Sequence, residues 1–173
     1  MNVLTFAASS SRQSINKQLA TYVASLIPNA NVNVVDLNDF EMPIYSSDRE
    51  TESGIPEQAQ RFFNIIGEAD VIVVSFAEHN GSYTAAYKNI FDWASRINQK
   101  VYQNKKMVLL STSPGPGGAK SVLAQAVGSA PFFAADVKAS YSLPSFYDNF
   151  DVEKGVVRNE TIKEELSALV SSL

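Results

Sequence analysis

A chain of 173 residues, 45% apolar and 18% charged, has the length and composition of a globular protein whose core needs neither disulfides nor metal. Fourteen basic against eighteen acidic residues give a net charge of −4, which argues against a nucleic-acid partner, since that would require a basic patch. The absence of cysteine excludes disulfides, thiolate nucleophiles and Cys-based zinc or iron–sulfur sites, and any His-based metal site or triad would have to rest on the single histidine, His79.

Taken in chain order, residues 2–7 (NVLTFA) read as a first strand. A helix follows, with Leu19, Tyr22, Val23, Leu26 and Ile27 on one face. Residues 32–36 form the second strand, and Ile55, Ala59, Phe62, Phe63 and Ile66 the next helical stripe. The third strand, 70–76, leads to a helix over 84–97, in which Trp93 sits at core spacing with Ile90 and Ile97 and is read as packing. The fourth strand, 107–112, is followed by a stripe of Val122, Leu123, Ala126 and Val127. A fifth strand is expected at about 133–141, and a last helix buries Ile162, Leu166, Leu169, Val170 and Leu173.

Strands three and four are nearly unbroken apolar runs, as expected when helices cover both faces of a parallel sheet. Five alternations of strand and helix predict an α/β, doubly wound five-stranded parallel sheet of order 2-1-3-4-5, in one domain spanning 1–173. The long connections, 37–56 and 142–158, are of the kind that often carries function. No apolar run approaches the ~20 residues of a membrane span. The start, MNVLTFAASS, lacks a basic leader, so a soluble, cytoplasmic protein without a membrane partner is expected.

In such a sheet ligands bind beyond the carboxyl ends of the strands, where the loops after strands one, three and four converge. The first loop, Ala8 to Asn16, offers Ser9, Ser14 and Asn16 as hydrogen-bonding side chains and Arg12 as a cation, ahead of a helix amino terminus suited to phosphate. It has neither a G-x-G-x-x-G nor a Walker lysine, so a monophosphate fits best; Ser14 as a plain helix cap is the competing reading. The second loop contains Glu78, His79, Asn80, Gly81 and Ser82, with Tyr83 beyond. Such a loop can offer main-chain hydrogen bonds to a ring edge, and His79 and Tyr83 are flat enough to stack. The third, SPGPGG, contains Ser113, Gly115, Gly117 and Gly118, more glycine than a tight turn needs, which allows close approach to a flat ligand.

Together these segments resemble the NADPH-dependent FMN reductase family, which includes quinone, azo-dye and chromate reductases, and the resemblance covers the whole chain. The loop with Arg12, Ser14 and Asn16, followed by KQLA, is similar to the family's phosphate loop. FAEHNGSYTAAYKNIFDW resembles its P-E-Y-N…K-N-x-I-D-W segment, SPGPGG its S-x-G-x-x-G-G loop, DLNDFEMPIYSSD its second-strand exit, and SFYDNFDVEKG a stretch near its carboxyl end. His79 stands for the family's usual Tyr and Thr84-Ala85 for its Pro-Gly, and the first loop is one residue shorter between Arg12 and Ser14.

The resemblance implies a flavodoxin-like fold and an FMN-dependent NAD(P)H oxidoreductase. It implies that Ser9, Arg12, Ser14 and Asn16 hold the FMN phosphate. Glu78, His79, Asn80, Gly81 and Ser82 run beside the flavin ring, and Ser113, Gly115, Gly117 and Gly118 close the other side. It also implies a homodimer or homotetramer, with NADPH or NADH as co-substrate and a quinone, free flavin or similar small molecule as electron acceptor. No catalytic acid or base is expected, because the cofactor carries the chemistry. Two other readings stand beside it: a non-enzymatic electron carrier, and a non-flavin enzyme acting on a nucleotide or phosphate ester, with Glu78 as its candidate carboxylate.

Overall fold

The computed structural model describes residues 1–171 and 173. Strands β1 (Asn2–Ala8), β2 (Asn31–Val35), β3 (Val71–Phe76), β4 (Lys106–Thr112) and β5 (Asp136–Leu143) form one parallel sheet in the order β2-β1-β3-β4-β5. The helices are α1 (Ile15–Ser25), α2 (Ser47–Ser53), α3 (Glu57–Glu68), α4 (Ala85–Ile97), α5 (Lys120–Ser129), α6 (Phe146–Asn149) and α7 (Glu160–Val170). A two-stranded ribbon, β6 (Phe150–Asp151) with β7 (Val156–Val157), precedes α7. The flavodoxin-like arrangement and strand order expected from the sequence are both present.

The side-chain period of two divides the core. Leu4, Phe6, Ile72, Val74, Met107 and Leu109 point to one face, under Phe62 and Ile66 of α3, Ile90 of α4 and Val122 of α5. Val3, Val71, Val73, Val108 and Leu110 point to the other, under Leu19 and Val23 of α1 and Leu166 and Val170 of α7. Every side chain of β3 is buried, which explains its unbroken apolar run.

The sequence expectation differs from the structure at its less regular ends. The fifth strand lies over Asp136–Leu143 rather than 133–141, because residues 130–133 make a 3-10 turn with Pro131 in it and Ala134 then takes a left-handed conformation (φ 61°). Ile55 is exposed, since α3 begins only at Glu57. The connection 37–56 holds a 3-10 turn at Leu37–Phe40 and α2, while 142–158 holds the end of β5, α6 and the β6–β7 ribbon. Trp93 is buried, with Nε1–H donating to Pro43 O (2.7 Å), so it packs as expected and also ties α4 to the segment after β2. Among the described residues no helix is long and apolar enough to cross a membrane.

Candidate functional site

Three adjacent strands, β1, β3 and β4, end at Ala8, Phe76 and Thr112, and their loops meet over one edge of the sheet. In the first loop Ser9 Oγ accepts a hydrogen bond from Ser11 N (3.1 Å), and Ser14 Oγ accepts one from Lys17 N (3.1 Å). Ser14 therefore caps α1, as the simpler reading had it, yet its own hydroxyl proton remains available for a ligand. The amides of Gln13, Ile15 and Asn16 find no acceptor among the described residues. That set of open donors at a helix amino terminus suits a phosphate.

Asn16 is used differently. It is only 3% exposed, and its Oδ1 accepts from Ser75 Oγ (2.6 Å) and from Thr112 N (3.1 Å) while its Nδ2 donates to Thr112 O (3.3 Å). It braces the start of α1 against the ends of β3 and β4, so it positions the first loop and has little bonding capacity left over. Arg12 is exposed, forms no ion pair among the described residues, and lines a separate groove with Tyr22, Val152 and Gly155. The nearby charge of Lys17 is taken up by Asp36 at 2.7 Å. Partial burial pushes the Asp36 carboxyl up, but hydrogen bonds from Lys17 and Asn38 outweigh it and hold its pKa below the usual value.

The second loop is a tight two-residue turn. Asn80 and Gly81 both take positive φ (52° and 77°), and His79 and Ser82 exchange main-chain hydrogen bonds of 3.0 and 3.2 Å. Asn-Gly is the pair such a turn favours. Glu78 precedes it, and its Oε2 accepts from Val122 N (2.7 Å) in the first turn of α5, where a carboxylate also meets the positive end of the helix dipole. Thr84, in place of the family's Pro, caps α4: its Oγ1 accepts from Tyr87 N (3.2 Å) and donates to Ala8 O (3.0 Å).

In the third loop Gly118 is required by the fold. Its φ is 61°, and an added Cβ would lie 2.3 Å from Ser142 Oγ and 3.2 Å from Pro144 N. At Gly115 and Gly117 a Cβ would meet nothing within 4 Å, so packing inside the protein does not ask for glycine there. Ser113 Oγ donates to Gly115 O (3.1 Å), and the amides of Ser145 and Phe146 donate to Gly115 O (2.9 Å) and Ser113 O (3.0 Å), which fastens α6 to this loop.

The three loops enclose a cleft of about 300 Å³. Of the expected site residues, Ser9, Ser14, Asn16, Glu78, His79 and Ser113 line it together. Arg12, Asn80, Gly81, Ser82, Gly115, Gly117 and Gly118 belong to the same loops without lining that cleft. Thr112, Pro114 and Tyr147 line it too and were not singled out from the sequence. Tyr147 joins His79 as a ring at the cleft, whereas Tyr83 packs on Phe76 and Tyr87 and shares a hydrogen bond with Ser129 (3.0 Å). The signals for Tyr147 were its place in a long connection and in the SFYDNFDVEKG stretch that resembles the family's carboxyl end.

A parallel sheet of order 2-1-3-4-5, with a cleft beyond its central strands, defines a flavodoxin-like α/β protein. Residues 1–148 match the model of the NADPH-dependent FMN reductase family, and the chain belongs to that family, as its motifs suggested. It is 36% identical to a 2-hydroxy-1,4-benzoquinone reductase of a Burkholderia species over 120 residues, 68% of this chain and 63% of the relative. It is 30% identical to an NADPH:quinone oxidoreductase of Arabidopsis thaliana over 150 residues, 85% of this chain and 74% of the relative. The chain thus spans just under two thirds of the Burkholderia protein. Its fold is that of the flavoenzyme NAD(P)H:(acceptor) oxidoreductase FerB from Paracoccus denitrificans (TM-score 0.81, 22% identity, 99% of this chain and 93% of that one).

Proposed function

We propose that this protein is an FMN-dependent NAD(P)H oxidoreductase that delivers electrons to a quinone, free flavin or similar small acceptor. The observation that carries the reading is the set of open amide donors at the start of α1, facing a cleft whose other walls are the loops after β3 and β4. Bound FMN supplies the redox chemistry, accepting hydride from a nicotinamide and passing two electrons on.

The chain's own residues bind and orient. Ser9, Ser14 and the amides of Gln13, Ile15 and Asn16 hold the phosphate, while Arg12, which lines the neighbouring groove, is left outside this set. Asn16 fixes the distance between that loop and the strand ends, and the His79–Ser82 turn offers its main chain to the ring edge. Ser113, Gly115, Gly117 and Gly118 border the opposite side, with Gly115 and Gly117 leaving room for a flat ring. Glu78 is held through Oε2 by the first turn of α5, which accounts for its place without the phosphate-ester reading. A cytoplasmic homodimer or homotetramer using NADPH or NADH completes the proposal, supported by family membership and by the exposed Phe132 and Ile44 as apolar contact points.

Cofactor released by heat from the purified protein should chromatograph as FMN; recovery of FAD, or of no flavin even after incubation with FMN, overturns the proposal. Ser14→Ala should raise the Kd for FMN about ten- to a hundredfold by removing a donor to an ionised phosphate. It should also lower the stability of the flavin-free protein by ~1 kcal/mol through loss of the helix cap. A lower melting temperature with an unchanged Kd, measured by flavin fluorescence titration, would reduce Ser14 to a cap.

A further inference from the structure

Behind the His79–Ser82 turn, between α4 and α5, lies a second cavity of about 260 Å³ that is separate from the cleft. Its walls include the rings of Tyr83, Phe91 and Phe133, with Phe91 meeting Phe133 edge-on at 4.7 Å. Tyr87 and Tyr102, 2% and 5% exposed, also line it, and their hydroxyl oxygens lie 2.5 Å apart. Burial raises the pKa of both, so both keep their protons at neutral pH.

The proton count then matters. Two tyrosine hydroxyls carry two protons, and the single hydrogen bond between them uses one. Neither oxygen has another partner among the described residues. One O–H donor of the pair is therefore left without an acceptor among the described residues, both tyrosines line the cavity, and a buried donor is normally matched. At the rim, Lys88 and Asp92 pair with each other at 2.7 and 3.0 Å, so nothing there favours an ion.

We propose that this cavity is a binding site for a small, neutral, flat aromatic molecule with a ring carbonyl, whose oxygen accepts the spare tyrosine proton. The volume, below the ~300–1,000 Å³ of drug-sized sites, suits one or two fused rings. The site also adjoins the turn beside the cleft: Ser82 Oγ donates to Gln125 Oε1 (2.9 Å), and Gln125 lines the cavity.

The test compares coumarin with naphthalene, the same two-ring shape without the oxygens, by calorimetry on the full chain as purified. Coumarin should bind once per chain and about three- to tenfold more tightly than naphthalene, and added FMN should leave both affinities unchanged. The double variant Tyr87→Phe/Tyr102→Phe removes both hydroxyls together, a change that costs little stability, and should erase the preference. Ser95→Trp, which places a ring in the same cavity and leaves the tyrosine pair intact, should abolish binding and decides the matter if the double variant does not fold. Absence of saturable coumarin binding overturns the proposal, as does a preference that survives the double variant, or a dimer in sedimentation whose second copy excludes coumarin.

Discussion

Replacing Asn16 by alanine should lower the stability of the protein by about 2–4 kcal/mol, the range for breaking a buried hydrogen-bond network. The side chain bridges three elements at once, and its loss strands Ser75 Oγ and Thr112 N, both in residues essentially closed to water. At this chain length that corresponds to a fall in melting temperature of roughly 5–15 °C. The same change frees the first loop from the ends of β3 and β4, so, if that loop holds the FMN phosphate as proposed, FMN affinity should fall with it. Thermal denaturation of the flavin-free variant checks the first part, and a loss below ~1 kcal/mol would mean that the brace is not holding the loop.

Gly118→Ala should cost about 2–3 kcal/mol, from a left-handed backbone and from crowding. Ser142 Oγ, 2.3 Å from the new Cβ, cannot swing away without losing its own bond to Gly118 O (2.8 Å), and the main chain at Pro144 and Leu143 stands at 3.2 and 3.3 Å. Gly117→Ala is the paired control. With nothing within 4 Å of its Cβ, it should change the stability of the flavin-free protein by no more than ~0.5 kcal/mol, and weaken FMN binding if the ring passes over this loop. Equal melting temperatures for the two variants would contradict the division between a glycine the fold needs and one it does not.

That division marks how far the sequence could be read. The five strands and their order follow from apolar periodicity, because β1, β3 and β4 are covered on both faces and their composition says so. Asn80-Gly81 announces its turn by itself. By contrast, the role of Asn16 depends on partners 59 and 96 residues away, and the carboxylate of Glu78 is claimed by an amide 44 residues later. No local pattern encodes such contacts. A run of glycines likewise does not say which member meets Ser142 and which faces open space. Tyr147 reaches the cleft only because α6 is fastened to the third loop through Ser113 O, a main-chain bond that leaves no trace in residue types.

The central claim is that this chain accepts reducing equivalents from a nicotinamide nucleotide through FMN held in the cleft. An enzyme needs an open flavin face with the reacting atoms about 3–3.5 Å apart, and the two rings at the cleft, His79 and the 57%-exposed Tyr147, are not buried over it. The most direct measurement is anaerobic mixing of the FMN-loaded protein with NADPH, and separately with NADH, while the visible absorption of the flavin is recorded. The account predicts that at least one nucleotide bleaches the flavin within minutes and that a quinone added afterwards restores its colour. Flavin that stays oxidised with both nucleotides, yet is reduced by dithionite, would contradict it and leave the electron carrier as the better description.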